Sequence, residues 1–216
     1  MYRDVLDNEL LEVKQSLLEM GGMTGSALRR SVALLKSRDL AGAQELVADD
    51  EIINAKQMEI EEACLKIIAT QQPVASDLRI IFSVLAIATE IERMADYAKG
   101  IARISLKIGE KPLVKPLTTI PVMADRLCQM LDEALAAFTT ASTEKAREVA
   151  EKDQLIDDFH NQTHRELLTF IMEDPRLLTG ALYLTWVSHN LERTGDRIVN
   201  ICERIIFAAT GEFADL

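Results

Sequence analysis

The five residues Glu92-Arg93-Met94-Ala95-Asp96 return one hundred positions later as Glu192-Arg193-Thr194-Gly195-Asp196. The match extends outward, with Ile91 answering Leu191 and Ile101 answering Ile201. A second pairing lies upstream, where Asp50-Glu51-Ile52-Ile53-Asn54 aligns with Asp153-Gln154-Leu155-Ile156-Asp157 at an offset of 103. Each half thus carries two acidic motifs in the same order. A period near a hundred residues is far longer than a solenoid unit, so the chain reads as a duplicated domain. Whatever fold one half adopts, the other must repeat.

The apolar spacing says which fold. Between Arg3 and Ser37, Val5, Leu6, Leu10, Val13, Leu17, Met20, Leu28, Val32 and Leu35 recur at three and four, as on one face of a helix. Gly21, Gly22 and Gly25 fall inside this run. They read as a bend or a close approach of a neighbour rather than as a break. Asp39 is placed to cap a second helix running to Thr70, which Gln71-Gln72-Pro73 ends because proline cannot extend the hydrogen-bond ladder. A third helix runs from Val74 to Ile108. Gly109 to Pro116 holds two prolines close together where the duplication expects a boundary, and reads as a linker.

The pattern then repeats: a helix from Thr118 to Thr140, a break at Ser142 and Thr143, a single helix to Glu173, the stop Asp174-Pro175, and a last helix to Ala209. The expectation is an all-α protein of two tandem homologous three-helix bundles, six long antiparallel helices in all, spanning 1–109 and 118–216 with a linker at 110–117. Aromatic residues at 5%, with only five prolines and nine glycines, leave few strand or turn signals.

Hairpin geometry brings the motifs together. With a turn near Gln72, Asn54 and Asp50 lie 18 and 22 residues before it, and Glu92 and Asp96 lie 20 and 24 after it. With a turn near Asp174, Asp157 and Asp153 lie 17 and 21 before, and Glu192 and Asp196 lie 18 and 22 after. In each half four oxygen-bearing side chains stand at one height on neighbouring antiparallel helices. Spacing of four puts the members of each pair on one helical face. Such a set repels itself unless a cation lies within it, and hard, oxygen-preferring ions such as Mg²⁺, Mn²⁺ or iron, with Zn²⁺ as a further option, suit it.

The plain alternative is a solvated acidic face. Arg93 with Asp96 and Arg193 with Asp196 can pair at i,i+3, and Glu45 with Asp49 or Glu144 with Glu148 are acidic pairs of no special kind. The double coincidence of height favours the cation. His189 stands three before Glu192 and invites a ligand role in the second half only. His160 and His164 read as surface residues, because Gln57 and Glu61 replace them in the first half. Trp186 and Tyr183 read as core, and Met20, Met23, Met58, Met94, Met123, Met130 and Met172 as gap-fillers.

Composition narrows the function classes. A net charge of -11 repels a phosphate backbone, which argues against nucleic-acid binding. Cys64, Cys128 and Cys202 are far apart, in no C-x-x-C arrangement, and read as buried apolar groups in a reducing, cytoplasmic setting. No apolar run is long enough to span a membrane, no glycine-rich phosphate loop is present, and no nucleophile stands beside a base. A binding or regulatory module is the leading reading. A di-iron or di-manganese carboxylate oxidase of the ferritin-like kind is the enzymatic rival, and a metal-free structural bundle the third.

The motifs carry a family resemblance. Residues 86–96, Ala-Ile-Ala-Thr-Glu-Ile-Glu-Arg-Met-Ala-Asp, and Asn190 to Asp196 followed by Asn200-Ile201-Cys202-Glu203 resemble the PhoU family of phosphate-signalling proteins, over nearly the whole chain. The resemblance implies a non-enzymatic cytoplasmic regulator. Such a protein reads the ATPase subunit of the phosphate ABC transporter and restrains the phosphate sensor histidine kinase, repressing the phosphate regulon when phosphate is plentiful. It would lie at the membrane through these partners only, and a homodimer is compatible with it. The resemblance further implies metal ions, multinuclear iron clusters included, bound through Asp50, Asn54, Glu92 and Asp96 in the first half and Asp153, Asp157, Glu192 and Asp196 in the second. Asn54 departs from the usual aspartate, and Tyr97 and Arg197 stand where histidine is common.

Overall fold

A computed structural model describes residues 2–216; Met1, with which the first expected unit begins, and the side chain of Tyr2 lie outside the described residues. The chain folds as α1 (Tyr2–Ser37), α2 (Leu40–Gln71), α3 (Ala75–Ile108), α4 (Thr119–Thr140), α5 (Thr143–Ala150), α6 (Asp153–Glu173), a 3-10 turn (Pro175–Leu177) and α7 (Leu178–Thr210). No strand occurs among the described residues. None of the helices is long and apolar enough to cross a membrane.

The local signals work as their chemistry dictates. Asp39 accepts from the Gly42 amide at 2.9 Å and opens α2. Gln72 closes that helix in the left-handed conformation, φ 47°. Asp77 accepts from the Val74 amide at 3.1 Å at the start of α3 and receives both ends of the Arg3 guanidinium at 2.8 Å, which ties the start of α1 to the hairpin tip. Ser142 caps α5, and Asp174 caps the turn that Pro175 begins.

One expected helix is two. The run from Thr143 to Glu173 breaks at Glu151-Lys152, where Lys152 donates to Val149 and Leu155 to Lys152, i to i+3 bonds that tighten the chain. The break makes Asp153 the first residue of α6. Lys152, just before it, is held by an ion pair with Glu133 of α4.

α1, α2 and α3 pack on one another as one bundle, and α4, α5, α6 and α7 as the other. Between the bundles α3 packs against α7 and α1 against α4, so these two helices of the first half each meet their counterpart in the second. One core runs through both halves, including Leu17, Met20, Ile91 and Met94 of the first and Met123, Leu127, Leu191 and Ile198 of the second. Gly21 and Gly25 mark the α1–α4 crossing: a Cβ at Gly21 would overlap Leu135, and Cys128 Sγ donates to the Gly25 carbonyl at 3.3 Å. The close-approach reading therefore holds at Gly21 and Gly25 but not at Gly22, where a Cβ would meet nothing within 4 Å, and α1 runs through all three unbroken.

Core expectations fail at Trp186, Met58 and Met172. Trp186 is 57% exposed and lies edge-on to His189, because Val187, Leu184 and Leu191 take the inward face of α7. Tyr183 is half-buried at the edge of the core. Met58 and Met172 are exposed rather than filling gaps. The three cysteines are buried free thiols, as expected.

Candidate functional site

The two halves do bring their acidic motifs to one height, but they resolve the repulsion differently. In the first half α2 presents Asp50 and Asn54, and α3 presents Glu92 and Asp96. Asp50 is 4% exposed. Its Oδ2 receives Lys99 Nζ at 2.5 Å and Asn54 Nδ2 at 3.3 Å. The same ammonium stands 3.6 Å from Asp96 Oδ1. The hydrogen bond to Asp50 raises the Lys99 pKa against the opposing effect of burial. Burial, then the nearby Asp96 and Asp50, push the Glu92 carboxyl up. Asp96 thus pairs with Lys99, and the charge that answers this cluster already belongs to the chain.

Lys99 carried no signal in the motif itself. It lies three residues beyond Asp96, on the same face, and its counterpart at the one-hundred-residue offset is Val199. A groove of about 490 Å³ opens beside it between α1, α2 and α3, lined by Gly22, Ala27, Arg30, Leu46, Ile53 and Lys99 among others. Arg30 crosses that groove's mouth to Glu45 and Asp49 at 2.9 Å each, which accounts for that acidic pair.

In the second half α6 presents Asp153 and Asp157, and α7 presents Glu192 and Asp196. Asp153 Oδ1 is buried with no hydrogen-bond partner. It rests on the backbone of Gly195, where a Cβ would overlap it. Burial first, then Asp157, Asp196 and Glu192, raise the Asp153 pKa to about 7. Asp157 is raised as well, by burial and then by Asp196. Asp196 takes Arg193 Nη1 at 2.6 Å, the i,i+3 pair the spacing allows. Among the described residues no basic side chain forms an ion pair with Asp153 or Asp157. An open groove of about 560 Å³ runs past Asp153, Asp157, Arg193, Asp196 and Asn200.

The histidines lie at one end of this second cluster. His160 is half-buried rather than a surface residue, its Nδ1 2.9 Å from Ser188 Oγ, and burial lowers its pKa. His189 Nδ1 stands 3.2 Å from Glu192 Oε2 without hydrogen-bonding geometry, and the two rings have centroids 6.1 Å apart. His164 is exposed. Among the described residues no three His, Cys, Asp or Glu side chains form a ready coordination cage, so an ion would have to draw its ligands inward.

The fit to a cation therefore differs between halves. The second offers four carboxylates, of which Asp196 is paired with Arg193, an orphaned buried oxygen on Asp153 and a glycine that makes room for it. The first offers three carboxylates, an ammonium and one amide, whose neutral Oδ1 is also buried without a partner.

Arg197 and Glu90 form a link that motif reading did not find. Arg197 Nη1 lies 3.2 Å from Glu90 Oε2, and Asn200 Nδ2 donates to the same oxygen at 3.3 Å. The residue that stands in place of histidine after the second motif thus joins α7 to α3.

A family model described as the PhoU domain matches residues 17–105 and again 120–205. The chain is 35% identical over 206 residues to the phosphate-specific transport system accessory protein PhoU homolog of Zymomonas mobilis subsp. mobilis, covering 95% of this chain and 87% of that one. It is 34% identical over 215 residues to the homolog of the same name from Streptococcus pneumoniae serotype 4, covering 99% of each. The crystal structure of the phosphate transport system regulatory protein PhoU from Streptococcus pneumoniae superposes with a TM-score of 0.90 at 32% identity, over 98% of this chain and 100% of that one. That of PhoU from Pseudomonas aeruginosa superposes at 0.89 and 33%, over 95% and 99%.

Proposed function

The chain belongs to the PhoU family, and from that membership we propose that it is a regulatory accessory protein of a phosphate transport system. It works in the cytoplasm without catalysing a reaction. It engages the ATPase subunit of the phosphate ABC transporter and the phosphate sensor histidine kinase, and restrains the kinase when phosphate is plentiful. The observation that carries this reading is similarity along the whole chain to relatives named as accessory or regulatory proteins of phosphate transport. The net charge of -11 supports protein partners over nucleic acid. The test is co-purification: the tagged chain should retain the ATPase subunit and the kinase's cytoplasmic part, and retention of neither contradicts the reading.

Metal binding belongs to the same proposal. Asp153, Asp157, Glu192 and Asp196 would hold the ion or cluster, which would add positive charge to a cluster in which Arg193 answers Asp196 alone. Iron, manganese, magnesium or zinc are the candidates, with oxygen ligands favouring the harder ions. The oxidase rival needs Glu-x-x-His on two helices; the reversed His189-x-x-Glu192 occurs once, which weighs against it. Dioxygen uptake on adding iron(II) would favour that rival.

A further inference from the structure

We propose that Lys99 is a built-in cation: in the first half its ammonium takes the place that a metal ion takes in the second, so the duplicated acidic motif is a metal site in one half only. The inference rests on the reading that the Asp153 cluster binds metal. Three differences between the halves, at positions matched by the duplication, point the same way.

The first is Lys99 itself, where the second half has Val199. Its Nζ lies against both Asp50 and Asp96, one carboxylate from each helix, as a bridging ion would. The side chain is 19% exposed and that of Asp50 3%, so water screens the pair little. The second is Asn54, where the other half has Asp157. It removes one negative charge and turns an amide donor toward the Asp50 oxygen that Lys99 already holds. A cation approaching that oxygen meets two donors instead of a free lone pair.

The third is Ala95, buried where the other half has Gly195. Gly195 lets Asp153 lie against the α7 backbone with an oxygen left unpartnered. A methyl group at 95 closes the matching position on α3. One half has lost a charge, gained a cation and filled the cradle. The other keeps a charge excess, with Arg193 on Asp196 but a buried carboxylate oxygen of Asp153 left open. A dication entering the first half would have to displace the ammonium or stand beside it, and like charges at that range repel strongly in a partly buried site.

The experiment is a manganese(II) titration of the chelator-treated full chain, followed by the signal of free manganese, on the native protein and four variants. Native protein should bind manganese that Asp153→Asn removes at least tenfold in affinity and Asp50→Asn leaves within twofold. Lys99→Val should gain further binding that is lost again with Asp50→Asn in the same chain. Lys99→Met, closer in length, serves if the valine variant does not fold, with circular dichroism as the check. Equal loss from Asp50→Asn and Asp153→Asn in the native background would overturn the proposal and leave the metal reading intact. Folded Lys99 variants that gain no manganese overturn it too. A native protein that binds none overturns instead the reading of the second half.

Discussion

One carboxylate oxygen of Asp153 rests on the backbone of Gly195, in the space a Cβ would fill. This contact joins the first residue of α6 to the centre of α7 and depends on two features at once, the absence of a side chain at 195 and the break before 153.

Gly195→Ala tests that contact through a change of sign. Helix propensity alone favours alanine in a helix interior by about 1 kcal/mol. Overlap with a buried side chain costs about 1 to 3 kcal/mol. The variant should be less stable by about 1 kcal/mol in urea denaturation, whereas Gly22→Ala, which meets nothing within 4 Å, should be more stable. A stabilised Gly195→Ala would mean that Asp153 moves aside freely.

The pH dependence follows from the same carboxyl. Its pKa rises from 3.8 to about 7 on folding. Between those values the folded protein holds a proton the unfolded chain has released, so stability falls as pH rises from about 4 and levels off above about 7. His160, whose pKa is lowered by burial, acts in the opposite sense below about pH 6.5. The difference between native protein and Asp153→Asn isolates the carboxyl. In metal-free protein Asp153→Asn should gain stability over the native chain as pH goes from 5 to 8, and added manganese should narrow the gap. A difference independent of pH would remove the raised carboxyl from the account.

Lys99 and Asp50 should behave as a coupled pair. Removing one partner of a largely buried ion pair costs about 3 to 5 kcal/mol, while removing both is far milder. With Lys99 at 19% exposure, Lys99→Met should cost about 2 to 3 kcal/mol. Lys99→Met with Asp50→Asn should recover at least half of that in a double-mutant cycle. Additive effects would show that the two side chains do not depend on each other.

These sites show where sequence reading succeeds. The periodicity and the caps at Asp39, Ser142 and Asp174 are local effects, and local effects can be read from local residues. The convergence of motifs at one height also follows from helix rise and turn position alone. The break at Glu151-Lys152 does not, because Ala150, Glu151 and Lys152 are all good helix formers and the matching stretch of α2 runs on unbroken. Its partners are tertiary, Glu133 for Lys152 and Gly195 for Asp153. Lys99 was hidden for a related reason. A lysine three residues after an aspartate is common on solvated helices, and only the approach of α2 makes it a bridge. The exposure of Trp186 likewise depends on which face α7 turns to α3 and α4.

The cysteines give a test of packing. Burial raises the Cys64 and Cys128 thiols to about 11 and Cys202 to about 12. All three should resist a thiol-specific reagent at pH 8 in the native state and react together on unfolding. Fast reaction of Cys128 alone would point to opening of the α1–α4 contact, where it donates to Gly25.

The most direct measurement of the central proposal is alkaline phosphatase activity in phosphate-replete cells from which this gene has been deleted and then restored. A regulator that restrains the starvation response should give high activity on deletion and repression on restoration. Activity unchanged by either step, in cells with no second family member, would contradict it.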